Sequence, residues 1–279
     1  MSQRQFVVIG LNHKTAPVEL RERFTVSSSK LPALLSAFTD STGLASCVCL
    51  STCNRTELYT LLPSLDGELE RVKSFLAEYH KVERDQFDNA LYVHPGERGV
   101  EHLFKVASGL DSLVLGESEI LGQVKQAYLT AQAHRKVEKA LHLLFQRSLR
   151  VAKKVRTETG IGRGLCSVGS VAVLLAEKIF GNLSRRTIMV IGAGKMGELT
   201  ARHLLKEGVN SILVSNRSFT RACMSRTCTV RRQPSAPGRI APGWETAMVQ
   251  CCVSARRRTV VPPVSPPVAT SRSVGPPKR

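Results

Sequence analysis

Residues 187–215 place an apolar run, a glycine-rich turn, a helical pattern and a second apolar run at a spacing that few folds accept. Thr187-Ile188-Met189-Val190-Ile191 reads as a buried strand, and Gly192-Ala193-Gly194-Lys195-Met196-Gly197 follows at once. Glu198 to Glu207 has the pattern of a helix closed by Gly208, and Ser211 to Val214 is the next strand. This is G-x-G-x-x-G between a strand and a helix, where glycines permit the tight turn and the close approach of backbone to a pyrophosphate. The six residues are therefore expected to bind a dinucleotide; the alternative is a turn that merely packs helix on strand. The second strand ends in Ser215-Asn216-Arg217-Ser218, with Arg221 close behind and no acid to hold a ribose 2′-hydroxyl. A guanidinium suits a 2′-phosphate, so Asn216 and Arg217 join the expected site and the expected cofactor is NADPH.

A chain of 279 residues has room for a second domain before this one. Phe6 to Leu11 reads as a strand ending in the polar turn Asn12-His13-Lys14-Thr15. Ser27 to Ser29 are expected to cap a helix running to about Phe38. Ala45 to Leu50 and Glu57 to Leu62 read as strands, and Asp66 to Tyr79 and Glu97 to Ala107 as amphipathic helices. Gln123 to Ala133, Lys139 to Thr157 and Ser167 to about Phe180 complete the helices. Strands mixed with helices on this scale indicate an α+β domain over residues 1–160. An incomplete α/β Rossmann domain is expected over 161–222. Arg147, Arg150, Lys154 and, more loosely, Lys153 fall near one helix face, which either tracks RNA phosphates or is simply solvated.

Between the second and third strands lies Ser51-Thr52-Cys53-Asn54-Arg55-Thr56-Glu57. A thiol attacks as its thiolate, which cationic and hydrogen-bonding neighbours favour. Cys53, in a polar turn with Arg55 two residues on, is placed for attack, whereas Cys47 and Cys49 lie within the strand. The spacing Cys47-x-Cys49-x3-Cys53 lacks the paired C-x-x-C of a zinc site, so no metal is expected. The eight cysteines read as thiols rather than a disulfide framework. No apolar run approaches a membrane span, and Met-Ser-Gln-Arg-Gln leads straight into a strand, which predicts a cytoplasmic location. A nucleophilic thiol ahead of an NADP domain suggests reduction of an acyl group through a thioester.

Composition changes abruptly after residue 222. Residues 223–279 hold ten of the Lys/Arg but one acid, Glu245, and nine of the thirteen prolines, with no leucine. Such a segment cannot bury enough apolar surface to fold and is expected to be disordered. It is either a nucleic-acid-binding tail or peptide translated in the wrong frame, the reading that Trp244 and the pair Cys251-Cys252 favour.

Gly10 to Pro17, Ser51 to Glu57, Ala107 to Glu117 and the Gly192–Gly197 loop together resemble glutamyl-tRNA reductase, over residues 1 to about 222. The resemblance implies NADPH-dependent reduction of glutamyl-tRNA to glutamate-1-semialdehyde, the entry to tetrapyrrole synthesis. It makes Cys53 the nucleophile and His102 a second catalytic residue, a proton donor or a holder of the carbonyl. Thr52, Asn54 and Arg55 become the substrate-binding turn, with Arg55 holding the glutamate carboxylate. Ser112, Glu117, Ser118, Glu119 and Gln123 become further substrate positions. It also implies a homodimer and association with the aminomutase that consumes the aldehyde. The expected remainder of the nucleotide sheet and a helical dimerisation domain are not recognisable beyond residue 222, which predicts weak NADPH binding. Two other readings are open: another NADP-dependent oxidoreductase, of the shikimate-dehydrogenase type, with a structural Cys53, and a non-enzymatic RNA-binding protein.

Overall fold

The apolar runs of the first half form a four-stranded antiparallel sheet. Its strands are β1 (Gln5–Asn12), β2 (Cys47–Ser51), β3 (Arg55–Leu62) and β4 (Tyr92–Pro95), in the order β2-β3-β1-β4. β1 and β3 are central and buried along almost their whole length; β1 accordingly reads as a continuous apolar run, while β3 buries Arg55, Thr56, Glu57 and Thr60 among its apolar residues. Helices cover the sheet. α1 (Val18–Phe24) rests on β3, and α2 (Leu31–Thr42) packs on β2 and on α3 (Glu68–His80). The short α4 (Arg84–Phe87) leads towards β4, and α5 (Gly96–Ser108) lies on β1 and β4. α6 (Glu119–Ala133) packs on β2, and α7 (Lys139–Glu158) packs on α5 and α6. One core joins these layers, with Tyr59, Phe24, Phe38, Phe87 and Phe145 among its largest fully buried side chains.

The computed structural model describes residues 4–65, 67–162, 167–192, 194–209, 211–215 and 249–252. The chain divides into two compact units, Met1–Gly181 and Asn182–Arg279. The helix α8 (Val168–Phe180) falls within the first of these units. In the second unit β5 (Thr187–Ile191) and β6 (Ser211–Ser215) run parallel, with α9 (Lys195–Lys206) as the helix between them. That is the βαβ unit which the glycine motif predicts.

Several boundaries differ from expectation for local reasons. α2 begins at Leu31, and no side chain caps it: Ser27 and Ser29 bond each other at 3.1 Å, and a proline in the first turn sets the start. α6 begins at Glu119 and α9 at Lys195, earlier than the apolar periodicity shows, because polar and glycine residues occupy their first turns. Ser167 does cap α8, in a reciprocal capping box with Ser170. The helix α1 and the strand β4 carry no clear periodic signal. Val249–Cys252 (β7) lies inside the segment expected to be disordered, yet pairs antiparallel with β6. The run Val-Gln-Cys-Cys has neither proline nor charge, so a free strand edge can take it up. The remainder of 223–279 lies outside the described residues. No helix among the described residues is long and apolar enough to cross a membrane.

Candidate active site

The pairing of β1 with β3 brings Asn12 opposite Arg55, so the turn after β1 and the turn before β3 share one end of the sheet. His13 N–H donates to the Asn54 carbonyl at 2.9 Å and ties the two turns together. Thr52 builds the second turn, since its Oγ1 accepts from the backbone N–H of both Asn54 and Arg55 at 3.2 Å. Cys53 sits at the tip with its side chain exposed, while Cys47 and Cys49 are buried in β2; all three are free thiols. Burial pushes the Cys49 thiol up to about 12, with the Glu57 charge adding to it. Burial also raises Cys47, leaving Cys53 as the accessible thiol of the three.

Arg55 is almost wholly buried. Its Nη1 donates to Glu57 Oε1 at 2.7 Å, and its Nη2 donates to Asp111 Oδ2 at 3.1 Å and to the Asp111 carbonyl. Burial alone would favour its neutral form, but Glu57 and then other neighbours outweigh this and hold the guanidinium charged. Both terminal nitrogens of Arg55 are thus engaged by protein acids, which makes it a buried cation bridging Glu57 and Asp111.

Glu57, fully buried, is the centre of this organisation. Its Oε1 accepts from Arg55, from Tyr92 Oη at 2.5 Å and from His102 Nε2 at 2.8 Å, and its Oε2 accepts from Tyr59 Oη. Burial would push the carboxyl up, but Arg55 and these donors hold it far below the usual carboxylate range. A carboxylate can only accept, so His102 Nε2 carries a proton and Nδ1 is the ring's remaining site. His102 comes from α5, and its ring lies 4.8 Å from that of His94 and 5.4 Å from that of Tyr92. No hydrogen bond joins His102 to Cys53 among the described residues; the histidine is held by Glu57.

The segment after α5 closes over the same end. Asp111 takes Lys14 Nζ at 2.5 Å as well as Arg55, and burial is outweighed so that its carboxyl lies below the ordinary value. Gly116 is left-handed at φ +77°, and a Cβ there would lie 2.0 Å from the Ile161 carbonyl. Arg156 of α7 reaches back to the Gly116 carbonyl at 3.3 Å and to that of Glu117, fixing the loop. Ser112 Oγ and His13 Nδ1 are buried beside these groups without a hydrogen-bond partner, donors or acceptors ready for a ligand. Ser118 is exposed at the start of α6; Glu117, Glu119 and Gln123 are half-buried. Of the expected substrate residues, Thr52, Asn54, Arg55 and Ser112 gather around Cys53 and Asp111. Glu57, Lys14, Arg21 and Tyr92 were not singled out as site residues. An acid two positions after an arginine, in a stretch that forms a strand, was the available signal for Glu57.

In the second unit, Gly192 is left-handed at φ +102° and Gly194 caps α9. A Cβ on Gly197 would fall 2.1 Å from the Gly192 carbonyl, so this helix start is closed to any larger residue. Gly192, Gly194, Lys195, Met196 and Gly197 thus lie between the end of β5 and the first turn of α9. Ala193, Asn216 and Arg217 lie outside the described residues. No metal-holding group of His, Cys, Asp or Glu occurs among the described residues.

Residues 9–159 match the family described as glutamyl-tRNAGlu reductase, N-terminal domain, which is more than half of the chain. The chain belongs to the glutamyl-tRNA reductase family. Residues 174–229 match the family of shikimate / quinate 5-dehydrogenase, in keeping with a nucleotide-binding second unit. A glutamyl-tRNA reductase of Brevibacillus brevis is 41% identical over 236 residues, covering 82% of this chain and 52% of its own. That of Pelotomaculum thermopropionicum is 46% identical over 216 residues, 77% of this chain and 49% of its own. The solved glutamyl-tRNA reductase from Methanopyrus kandleri superposes with a TM-score of 0.52 at 37% identity, over 80% of this chain and 51% of that one. The chain spans about half the length of these glutamyl-tRNA reductases.

Proposed function

We propose that this chain transfers the glutamyl group of glutamyl-tRNA to Cys53 and that NADPH-dependent reduction of the thioester yields glutamate-1-semialdehyde, the first step of tetrapyrrole biosynthesis. The observation that carries this is the exposed Cys53 thiol at the tip of a turn locked to the Arg55–Glu57–Asp111 network. Cys53 Sγ forms a bond to the ester carbonyl carbon, the bond to the ribose oxygen breaks, and that oxygen leaves with a proton. A bound nicotinamide cofactor would supply the hydride, after which the C–S bond breaks and Cys53 regains its thiolate. Gly192, Gly194 and Gly197 would seat the pyrophosphate, and Asn216 and Arg217 the 2′-phosphate. His102, held through Nε2, keeps Nδ1 as the ring position for proton exchange with the acyl group. Ser112 and Asn54 line the acyl pocket, with Glu117, Ser118, Glu119 and Gln123 bordering it.

Two further elements belong to this reading. Arg147, Arg150, Lys153 and Lys154 are exposed along α7 and are proposed to meet tRNA phosphates. The second unit is proposed to be an incomplete Rossmann domain, because Met189 and Ile191 of its edge strand are 47% and 70% exposed. Binding of NADPH should then be weak, and micromolar affinity would overturn that part. Association with a second copy and with the aminomutase rests on the family resemblance. The central test is peptide mass spectrometry after incubation with glutamyl-tRNA and no reductant. A glutamyl adduct on the Cys53 peptide, lost in Cys53→Ser, is the expected result. An adduct that survives Cys53→Ser, or none on the parent chain, overturns the mechanism.

A further inference from the structure

Glutamyl transfer to Cys53 requires a proton at the leaving oxygen. Sγ bonds to the acyl carbon while the bond to the ribose oxygen breaks, and that oxygen takes up the proton. When the thiolate attacks, the proton comes from an acid at the site, which solvent must then recharge. His102 is the acid that the geometry offers, yet its Nε2 is fixed on Glu57 Oε1 at 2.8 Å and its side chain is only 11% exposed. The ring of His94 packs against it, with centroids 4.8 Å apart and planes tilted by 45°. His94 belongs to β4, the edge strand of the sheet, and stacks on Tyr92 at 4.9 Å. It is half-buried, its ring makes no hydrogen bond among the described residues, and neither ring nitrogen is sealed from water. Gly99 of α5 permits the contact: a Cβ there would lie 2.5 Å from the His94 carbonyl, so only glycine lets the helix come this close.

We propose that His94 is the relay that passes protons between solvent and His102 during glutamyl transfer to Cys53. The proposal rests on the acyl-transfer reading of the site. A ring on an edge strand, with one side against His102 and its nitrogens open to water, can take a proton at one nitrogen and release one from the other. With centroids 4.8 Å apart, the two rings meet directly or through one water, the reach that proton transfer needs. Tyr92, the other ring against His102, cannot stand in: its hydroxyl is committed to Glu57, and burial and then the Glu57 charge hold it protonated. The charged and titratable groups around His94 are His102 and Arg98 on α5, Glu57 on β3 and Asp111 in the loop after α5. Burial first, then His102 and Arg98, lower the His94 pKa, while Glu57 and Asp111 pull it upward. Near neutrality the ring is therefore mainly uncharged and free to accept. His94 acts through His102 and touches no reacting atom, which makes it a positioning residue.

The test uses His94→Phe, which keeps a ring in the stack and removes the proton site, with His94→Gln as a second variant in case the phenyl ring fits poorly. Two readouts are taken on the full chain. The first is single-turnover transfer from glutamyl-tRNA to Cys53 without reductant. Both variants are expected to be about 10- to 100-fold slower, part of what general acid catalysis supplies, and added imidazole should restore the rate in proportion to its concentration. The second readout needs no substrate: exchange of the His102 ring proton with water, followed by NMR of isotope-labelled histidine, should slow by a similar factor. Unchanged exchange in both variants would overturn the assignment. So would slow transfer that imidazole leaves uncorrected, which would make His94 a packing support for His102 and nothing more. Should the variants slow the exchange while the parent chain forms no glutamyl adduct on Cys53, the proton path is upheld and the acyl-transfer reading fails.

Discussion

Tyr92 donates to Glu57 Oε1 at 2.5 Å across the side-chain position that Gly10 leaves empty. Gly10 pairs with Glu57 on one side and with Tyr92 on the other, so the two partners lie two strands apart, about 10 Å between backbones. A tyrosine is long enough to span that gap when nothing stands between. A Cβ on Gly10 would come within 2.6 Å of the Thr56 carbonyl and 2.8 Å of Glu57 Cγ. Gly10→Ala should therefore destabilise by about 1–3 kcal/mol and disturb the Glu57 network. Gly122→Ala is the contrast: it lies within α6 with open space at its Cβ, and should stabilise by about 0.5–1 kcal/mol. Urea denaturation of the two variants checks both signs.

Glu57 and Asp111 both titrate below their ordinary values in the folded chain. Groups with depressed folded values contribute stability that is complete above their unfolded values, about 4.3 for Glu and 3.9 for Asp, and is lost as pH falls through the folded ones. Stability should hold steady above about pH 5 and decline in acid. Glu57→Gln should flatten that decline. It also leaves Arg55 buried with one acid fewer, at a cost of about 3–5 kcal/mol near pH 7. Denaturation midpoints across the acid range decide this; an unchanged acid slope in Glu57→Gln would refute the buried ion pair.

The three described thiols should separate by reactivity. Cys53 is exposed, whereas Cys47 and Cys49 are buried and their thiols are held protonated. Brief iodoacetamide treatment of the folded chain near pH 8 should label the Cys53 peptide and spare the Cys47–Cys49 peptide until urea is added. Labelling of Cys49 in the folded state would contradict the burial of β2.

Ser167 accepts from Ser170 N–H at 3.0 Å, and Ser170 Oγ answers to Ser167 N–H at 3.2 Å. Ser167→Ala should cost about 1 kcal/mol, and Ser167→Asp far less, because aspartate keeps the cap acceptor. Circular dichroism against urea concentration reads the difference; equal stability of the alanine variant would mean that the cap is dispensable.

Much of the fold can be read directly along the chain. A continuous apolar run marks β1, because a central strand covered on both faces needs no polar alternation, and a β-branched run marks β5 at the edge of its sheet. The glycine motif marks its turn because neither Gly197 against the Gly192 carbonyl nor Gly192 at positive φ has a good substitute. The polar turn 51–57 marks the exposed thiol of Cys53. Less legible are α1 and β4, too short for a period to show, and the early starts of α6 and α9, where polar or glycine residues occupy the first turn.

Spacing and residue type alone determined the family, the polar turn that carries Cys53 and the βαβ character of residues 187–215, since each depends on neighbours a few positions apart. The tertiary structure decided which charges are free. Arg55 and Arg21 look equally available along the chain, yet sheet pairing and the loop after α5 bring Glu57 and Asp111 onto Arg55 and neutral acceptors onto Arg21. Asp111 lies 56 positions from Arg55 in sequence, and only folding brings a carboxylate and a guanidinium so far apart within hydrogen-bonding distance.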